Sequence, residues 1–372
     1  MNHETITVKQ GIILMVMFIM GSSLLMVMGL EAEKDIWISI IIAMIISILV
    51  LTIYARLLSL CPGKDFFETL ETIFGKIISR VLLFPLIWFA FDLSTLVLRN
   101  MAQFVMTVGL VNTPMVVIMI CFMTVCSFAV KAGFEMLVGW SSFFILVLLT
   151  FIIGSIILLI PEMDWHNLQP SLLKGFTPII NGAFSVIAFP FTETVVFLLA
   201  FPVLSLKSKK APYKIFIFGL ILGGTVIFLS SMTDILVIGV YKASIKYYPT
   251  YTAASRLHLG EIFRRLEIIA ASVFILGVFL KVTIIQTATV KGISWMFGCK
   301  DYRFLSFPVA FLIINYTYLS FESMPVFHKW VSKIFPFYGS IFEIALPILI
   351  LILSEIVVRR KKYKRNCQKD QQ

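Results

Sequence analysis

Charge is what this chain has least of: Asp, Glu, Lys and Arg make up 14% of its 372 residues, against 59% hydrophobic residues. Mean hydropathy is +0.98. So few polar side chains cannot cover a water-facing surface of that length, which excludes a soluble globular fold and makes a bilayer the solvent. Cysteine is scarce too. Cys61, Cys299 and Cys367 fall on segments expected to face the cytoplasm, while Cys121 and Cys126 share one apolar run, so no disulfide framework is expected. There is no Cys-x-x-Cys, and His3, His166, His258 and His328 lie far from one another and from the cysteines, without metal-ligand spacing. No nucleophile stands beside a base. Together these absences argue against a metal site, a cofactor and an enzyme.

What the chain does have is a succession of apolar runs, each close to the ~20 residues that cross hydrocarbon. They predict an all-α integral membrane protein of about ten spans, at approximately 8–30, 35–60, 80–109, 113–130, 138–160, 179–204, 213–240, 263–290, 304–322 and 338–358. Residues 1–358 then form one polytopic domain and 359–372 a basic tail. The first run, Val8 to Leu30, is too long for a cleaved leader and lacks a small-residue cleavage site, so it is expected to stay as a helix. An even number of spans puts both termini on one side. Most of the 31 Lys and Arg residues fall on that side, including Lys207, Lys209, Lys210, Lys214 and the tail from Arg359 to Lys369, which makes both termini cytoplasmic. The +11 net charge needs no nucleic acid. The tail directly follows a span and would meet anionic lipid headgroups; a docking site for a protein partner is the alternative.

Two connections are more than linkers. Phe66, Phe67, Leu70, Ile73, Phe74 and Ile77 recur at helical spacing among Lys64, Asp65, Glu68 and Glu71, which predicts a short helix lying in the inner interface. The stretch from Tyr241 to Arg265 is polar, aromatic and basic on the expected outer side. It is either a lid folded onto the protein or an ordinary long loop.

Polar and helix-breaking residues at membrane depth carry the functional argument. Span one holds Gly21, Ser22 and Ser23 near its centre. Gly permits unwinding and Ser can satisfy freed backbone groups, although such a patch also serves helix packing. Span six holds Pro190 and Glu193 within Ala-Phe-Pro-Phe-Thr-Glu-Thr at 188–194. Proline removes a hydrogen bond, and a carboxyl there must be protonated, paired or facing a cavity. Spans one and six occupy matching places in two sets of five, which points to an inverted-repeat transporter with a midplane site. Half-helix ends at such breaks suit the two charges of an amino acid. Span three carries Asp92, Thr95, Arg99 and Gln103 on one face, a stripe that serves either an ion pair or a ligand. Span eight carries Lys281, Thr283, Gln286 and Thr287. Lys281 either stands as a fixed charge where a coupled transporter holds a cation, or pairs with Asp234 or Glu193 for stability.

The chain resembles the B subunit of bacterial spore germinant receptors, the endospore germination permease family of the amino acid–polyamine–organocation superfamily. The resemblance rests on the order of several segments: Trp-His-Asn-Leu-Gln-Pro and Ser-Leu-Leu-Lys-Gly within 165–175, Phe-Pro-Phe-Thr-Glu at 189–193, Tyr-Pro-Thr-Tyr at 248–251, Arg-Leu-His-Leu-Gly-Glu-Ile-Phe-Arg-Arg-Leu-Glu at 256–267, Phe-Leu-Lys at 279–281 and Lys-Asp-Tyr-Arg at 300–303. It implies a LeuT-like five-plus-five inverted repeat with helices one and six discontinuous, acting as a germinant sensor in the spore inner membrane. Implied partners are an A subunit, a lipoprotein C subunit and a small germinant, most plausibly an amino acid. Ligand contacts from helices one, three, six and eight are implied, placed here on Gly21, Ser22, Ser23, Thr95, Phe191, Thr192, Glu193, Thr283 and Thr287. Asp92, Arg99, Asp234 and Lys281 are the buried charges. A proton-coupled amino-acid transporter that titrates Glu193 or Asp92 is the alternative, and a scaffold or ion path that binds no nutrient is a third reading.

Overall fold

Without water to satisfy backbone groups, a long apolar segment must close its hydrogen bonds internally, and the helix does this. The computed structural model describes residues 5–61, 63–201, 203–204, 209–255 and 266–369. In chain order the helices are α1 (Val8–Gly21), α2 (Ile36–Ser59), α3 (Phe66–Phe74), α4 (Lys76–Val108), α5 (Met115–Ala132), α6 (Phe134–Leu159), α7 (Thr177–Val186), α8 (Phe197–Ala200), α9 (Ala211–Ile238), α10 (Val240–Ile245), α11 (Pro249–Ala254), α12 (Leu266–Phe297), α13 (Ser306–Ser320), α14 (Met324–Lys333), α15 (Phe335–Ser340) and α16 (Leu346–Lys369). The strand content among the described residues is one parallel pairing of Thr5–Ile6 with Val203–Leu204, which holds the start of the chain against the end of span six.

Among the described residues, eight helical segments are long and apolar enough to cross a membrane, or up to nine if α13 and α14, bent by 99° from one another, are one span. The count differs from ten because α1 covers only 14 residues of the expected 8–30, about 21 Å at 1.5 Å per residue. The remainder of that crossing is turns through Gly29. Large apolar side chains lie bare on the outside, Leu146 at 67% and Phe143 at 60% exposure, as lipid contact requires.

The core sits where α1 is enclosed by α9 and α12. On α9, a Cβ at Gly219 would stand 2.5 Å from Met15 Cβ and one at Gly223 would stand 3.1 Å from Ile19 Cβ, so two glycines one turn apart let the helices touch along their backbones. The expected interfacial helix forms as α3, capped by Asp65 Oδ1 accepting the Glu68 N–H at 2.7 Å. Its Phe66, Phe67 and Leu70 are buried in the protein, with the Phe67 ring tilted 34° against Trp295 at 5.4 Å, so its apolar face serves the bundle. The described part of the Tyr241 to Arg265 stretch folds inward: Tyr248 packs on Phe104 at 4.9 Å and donates to the Asn100 carbonyl at 3.3 Å. The segment 256–265, with most of one quoted motif, lies outside the described residues.

Candidate functional site

Both expected interruptions are present. After Gly21 the chain leaves helical geometry, and the Ser23 hydroxyl folds back on the carbonyls of Ile19 at 2.6 Å and Met20 at 3.1 Å. In span six, α7 ends at Val186, a widened turn runs Ile187–Phe191, a tight one runs Thr192–Val196, and Phe189 is extended at φ −132°, ψ 118°. Pro190 is the sequence reason, since its nitrogen has no hydrogen to donate.

A cavity opens beside the two breaks. Its polar wall is Ser22, Asn100, Glu193 and His328, and its apolar wall includes Leu93, Val97, Phe189, Phe327, Val331 and Phe335. Glu193 is buried and ion-paired with Lys281 of α12. The same ammonium donates to Ser22 Oγ at 2.8 Å and lies 4.9 Å and 5.0 Å from the Phe18 and Phe189 rings. One lysine thus ties α12 to both broken helices. Asn100 Oδ1 and His328 Nε2 are buried without a partner among the described residues.

The expected site residues do not all meet at the cavity. Ser22 and Glu193 line the cavity. Gly21 instead makes room for α12: a Cβ there would stand 2.9 Å from Lys281 Cβ and 3.2 Å from the Gly277 carbonyl. Ser23 serves its own helix end. Phe191 is fully buried, and Thr192 turns away toward Glu343, its Oγ1 2.7 Å from Oε2. Thr95 donates to the Asp92 carbonyl at 2.6 Å, Thr283 to Phe279 at 2.7 Å and Thr287 to Thr283 at 2.7 Å, so their hydroxyls serve their own helices. Asp92 faces Tyr338, and Arg99 reaches the Thr317 carbonyl at 3.4 Å. Asp234 accepts from Thr250 Oγ1 at 2.5 Å, which removes it as the partner of Lys281.

Three residues were missed. On α4 the cavity face is Leu93, Leu96, Val97 and Asn100, one residue along from the charged stripe, a rotation of about 100°. Leu93 to Asn100 is a heptad spacing that makes this face readable once the neighbouring helices are known. His328 comes from α14, and nothing in its local sequence ties it to the break. Glu343, wholly buried in a widened turn at Ile341–Ala345, carried no local signal beyond being a carboxyl in an apolar run.

The spore permease family model, described as "Spore germination protein", matches residues 5–325. The chain belongs to this family. It is 25% identical to spore germination protein KB of Bacillus subtilis over 97% of this chain and 98% of that one. Spore germination protein A2 of the same organism is 25% identical over 95% of each chain. Among solved structures, Mhp1, a nucleobase-cation-symport-1 family transporter in a closed conformation with bromovinylhydantoin bound, is similar with a TM-score of 0.73, 11% identity, and coverage of 97% of this chain and 80% of that one. A mutant manganese transporter of Eremococcus coleocola is similar with a TM-score of 0.50, 12% identity and coverage of 92% and 85%. This spore permease is therefore a multi-pass membrane protein with a transporter fold, and its family is one of germination permeases rather than enzymes.

Proposed function

We propose that this spore permease is the membrane subunit of a nutrient germinant receptor, with a small germinant held in the cavity between the broken helices. The observation that carries the reading is that Asn100 and His328, whose Oδ1 and Nε2 are buried and unsatisfied among the described residues, line one cavity with Glu193 and Ser22. Buried polar groups almost always have a partner, and where the protein supplies none a ligand or water does. An amino acid suits the walls: its ammonium would meet Asn100 Oδ1 and the carbonyl end of α1, while the apolar wall takes its side chain. Because Lys281 already occupies Glu193, that carboxylate acts in our reading as the fixed floor of the site and the ligand ammonium is met elsewhere.

Binding would shift a two-state bundle, to the extent that the two states differ in affinity, and the shift would pass to A and lipoprotein C subunits in the spore inner membrane. The five-plus-five repeat, cytoplasmic termini and lipid-bound basic tail belong to the same reading. The test is Asn100→Leu, which removes an amide oxygen that the protein itself leaves unpaired. Spores carrying it should hold normal amounts of the protein and need at least about tenfold more germinant, the 1.4 kcal/mol of one good polar contact. An unchanged dose response removes Asn100 from the site. Proton-coupled transport is the competing reading, and accumulation of labelled amino acid by the purified protein in liposomes would favour it.

A further inference from the structure

Behind the cavity floor, the Thr192 hydroxyl poses a counting problem. Its Oγ1 lies 2.8 Å from the Ile187 carbonyl and 2.7 Å from Glu343 Oε2. Both neighbours are acceptors if Glu343 is ionised, and a hydroxyl has one hydrogen. Sharing that hydrogen, as Ser23 and Tyr54 do, leaves at least one of the two contacts weak, whereas a protonated carboxyl gives each contact its own hydrogen. The other carboxyl oxygen, Glu343 Oε1, is buried with no partner among the described residues. The cation facing it among the described residues, Lys281, is already taken by Glu193 and Ser22. Tyr54 of α2 spends its hydroxyl on the main-chain carbonyls of Glu343 and Thr192. Facing Glu343 from the packed elements are Glu193 of span six, Lys281 of α12 and Tyr54; on α4 and α15, Asp92 and Tyr338 face one another. One ammonium therefore stands among two carboxyls, and an unpaired carboxylate within a span is costly.

We propose that Glu343 of the last span is a proton-binding site, holding its proton on Oε2 and donating it to Thr192. With that hydrogen in place the chain of donors closes, Glu343 to Thr192 and Thr192 to Ile187, and Oε1 becomes a neutral carbonyl oxygen, whose desolvation costs less than that of an anion. Ionisation breaks the Glu343 O–H bond, leaves the electron pair on Oε2 and releases one proton to water. The anion then takes the Thr192 hydrogen from the Ile187 carbonyl, at the widened turn of span six, so proton occupancy is coupled to the break that lines the cavity. The assignment does not depend on what the cavity binds.

The test is infrared spectroscopy of the full chain in lipid nanodiscs, exchanged between light and heavy water. Wild type minus Glu343→Gln should contain a protonated-carboxyl C=O band that shifts down in heavy water. Thr192→Val should keep that band and move it to higher frequency, because the carboxyl O–H has lost its acceptor; this variant answers the question even where Glu343→Gln does not fold. Loss of ionised-carboxylate bands in Glu343→Gln, with no protonated band, overturns the proposal. So does a band that Thr192→Val leaves in place, or one that appears only when sodium or potassium is withdrawn, which would make the occupant a metal cation.

Discussion

At the end of α1 the freed Ile19 and Met20 carbonyls are served from within four residues, whereas the Thr192 carbonyl and the Thr192 and Glu193 side chains of the span-six break are held from three distant segments of the chain. Ser23 returns its hydroxyl to Ile19 and Met20, and the Met20 carbonyl also accepts the amides of Ser23 and Leu24, each at 3.2 Å. The span-six break depends on Tyr54 of α2, Lys281 of α12 and Glu343 at the start of the last span. The end of α1 is therefore self-contained, although Ser22 and Met28 beyond it are tied to Lys281 and Ser231. The second break leans on the rest of the bundle at Thr192 and Glu193, which suits it to report a change elsewhere in the protein.

Five substitutions test this difference between the two breaks. Lys281→Met leaves Glu193 buried without its counter-ion and should cost about 3–5 kcal/mol, seen as a large fall in the melting temperature of detergent-solubilised protein. Lys281→Met combined with Glu193→Gln should regain most of it; a single variant that melts like wild type breaks the comparison outright. Gly21→Val forces a side chain into Lys281 and the Gly277 carbonyl. That overpacking should cost about 1–3 kcal/mol in the same assay. Tyr54→Phe removes one donor shared between two buried carbonyls, worth about 1 kcal/mol. Ser23→Ala should be the smallest change, about 0.5 kcal/mol, because the Met20 carbonyl keeps its amide donors. If Ser23→Ala cost as much as Tyr54→Phe, the first break would not be the self-contained one.

How much of this was readable in the sequence follows the same division. Apolar run length located the spans because membrane depth fixes helix length, and Gly21, Pro190 and Glu193 marked the breaks because each acts on its own backbone or charge. The chain could not say that span one fails to resume as a helix after the break at Gly21, since Leu24 to Leu30 is as apolar as the helix before it. Nor could it separate the two α4 faces: Asp92 and Arg99 advertise themselves, yet they pack on Tyr338 and Thr317, while Asn100 beside them meets the cavity. Choosing between Asp234 and Glu193 for Lys281 needed the tertiary fold, as did bringing His328 from α14 to the break. Long-range partnership is the part of a site that local residue chemistry leaves open.

The central claim is that the cavity between the broken helices holds the germinant, and filling it tests that claim most directly. Val97 lines the cavity and is almost fully buried. The standard L-amino acids would be titrated one at a time against the purified protein in nanodiscs, wild type beside Val97→Trp, with the melting temperature of each recorded. The account predicts saturable binding of at least one amino acid to wild type and its loss in a folded Val97→Trp protein. An amino acid that binds both proteins with equal affinity would contradict it.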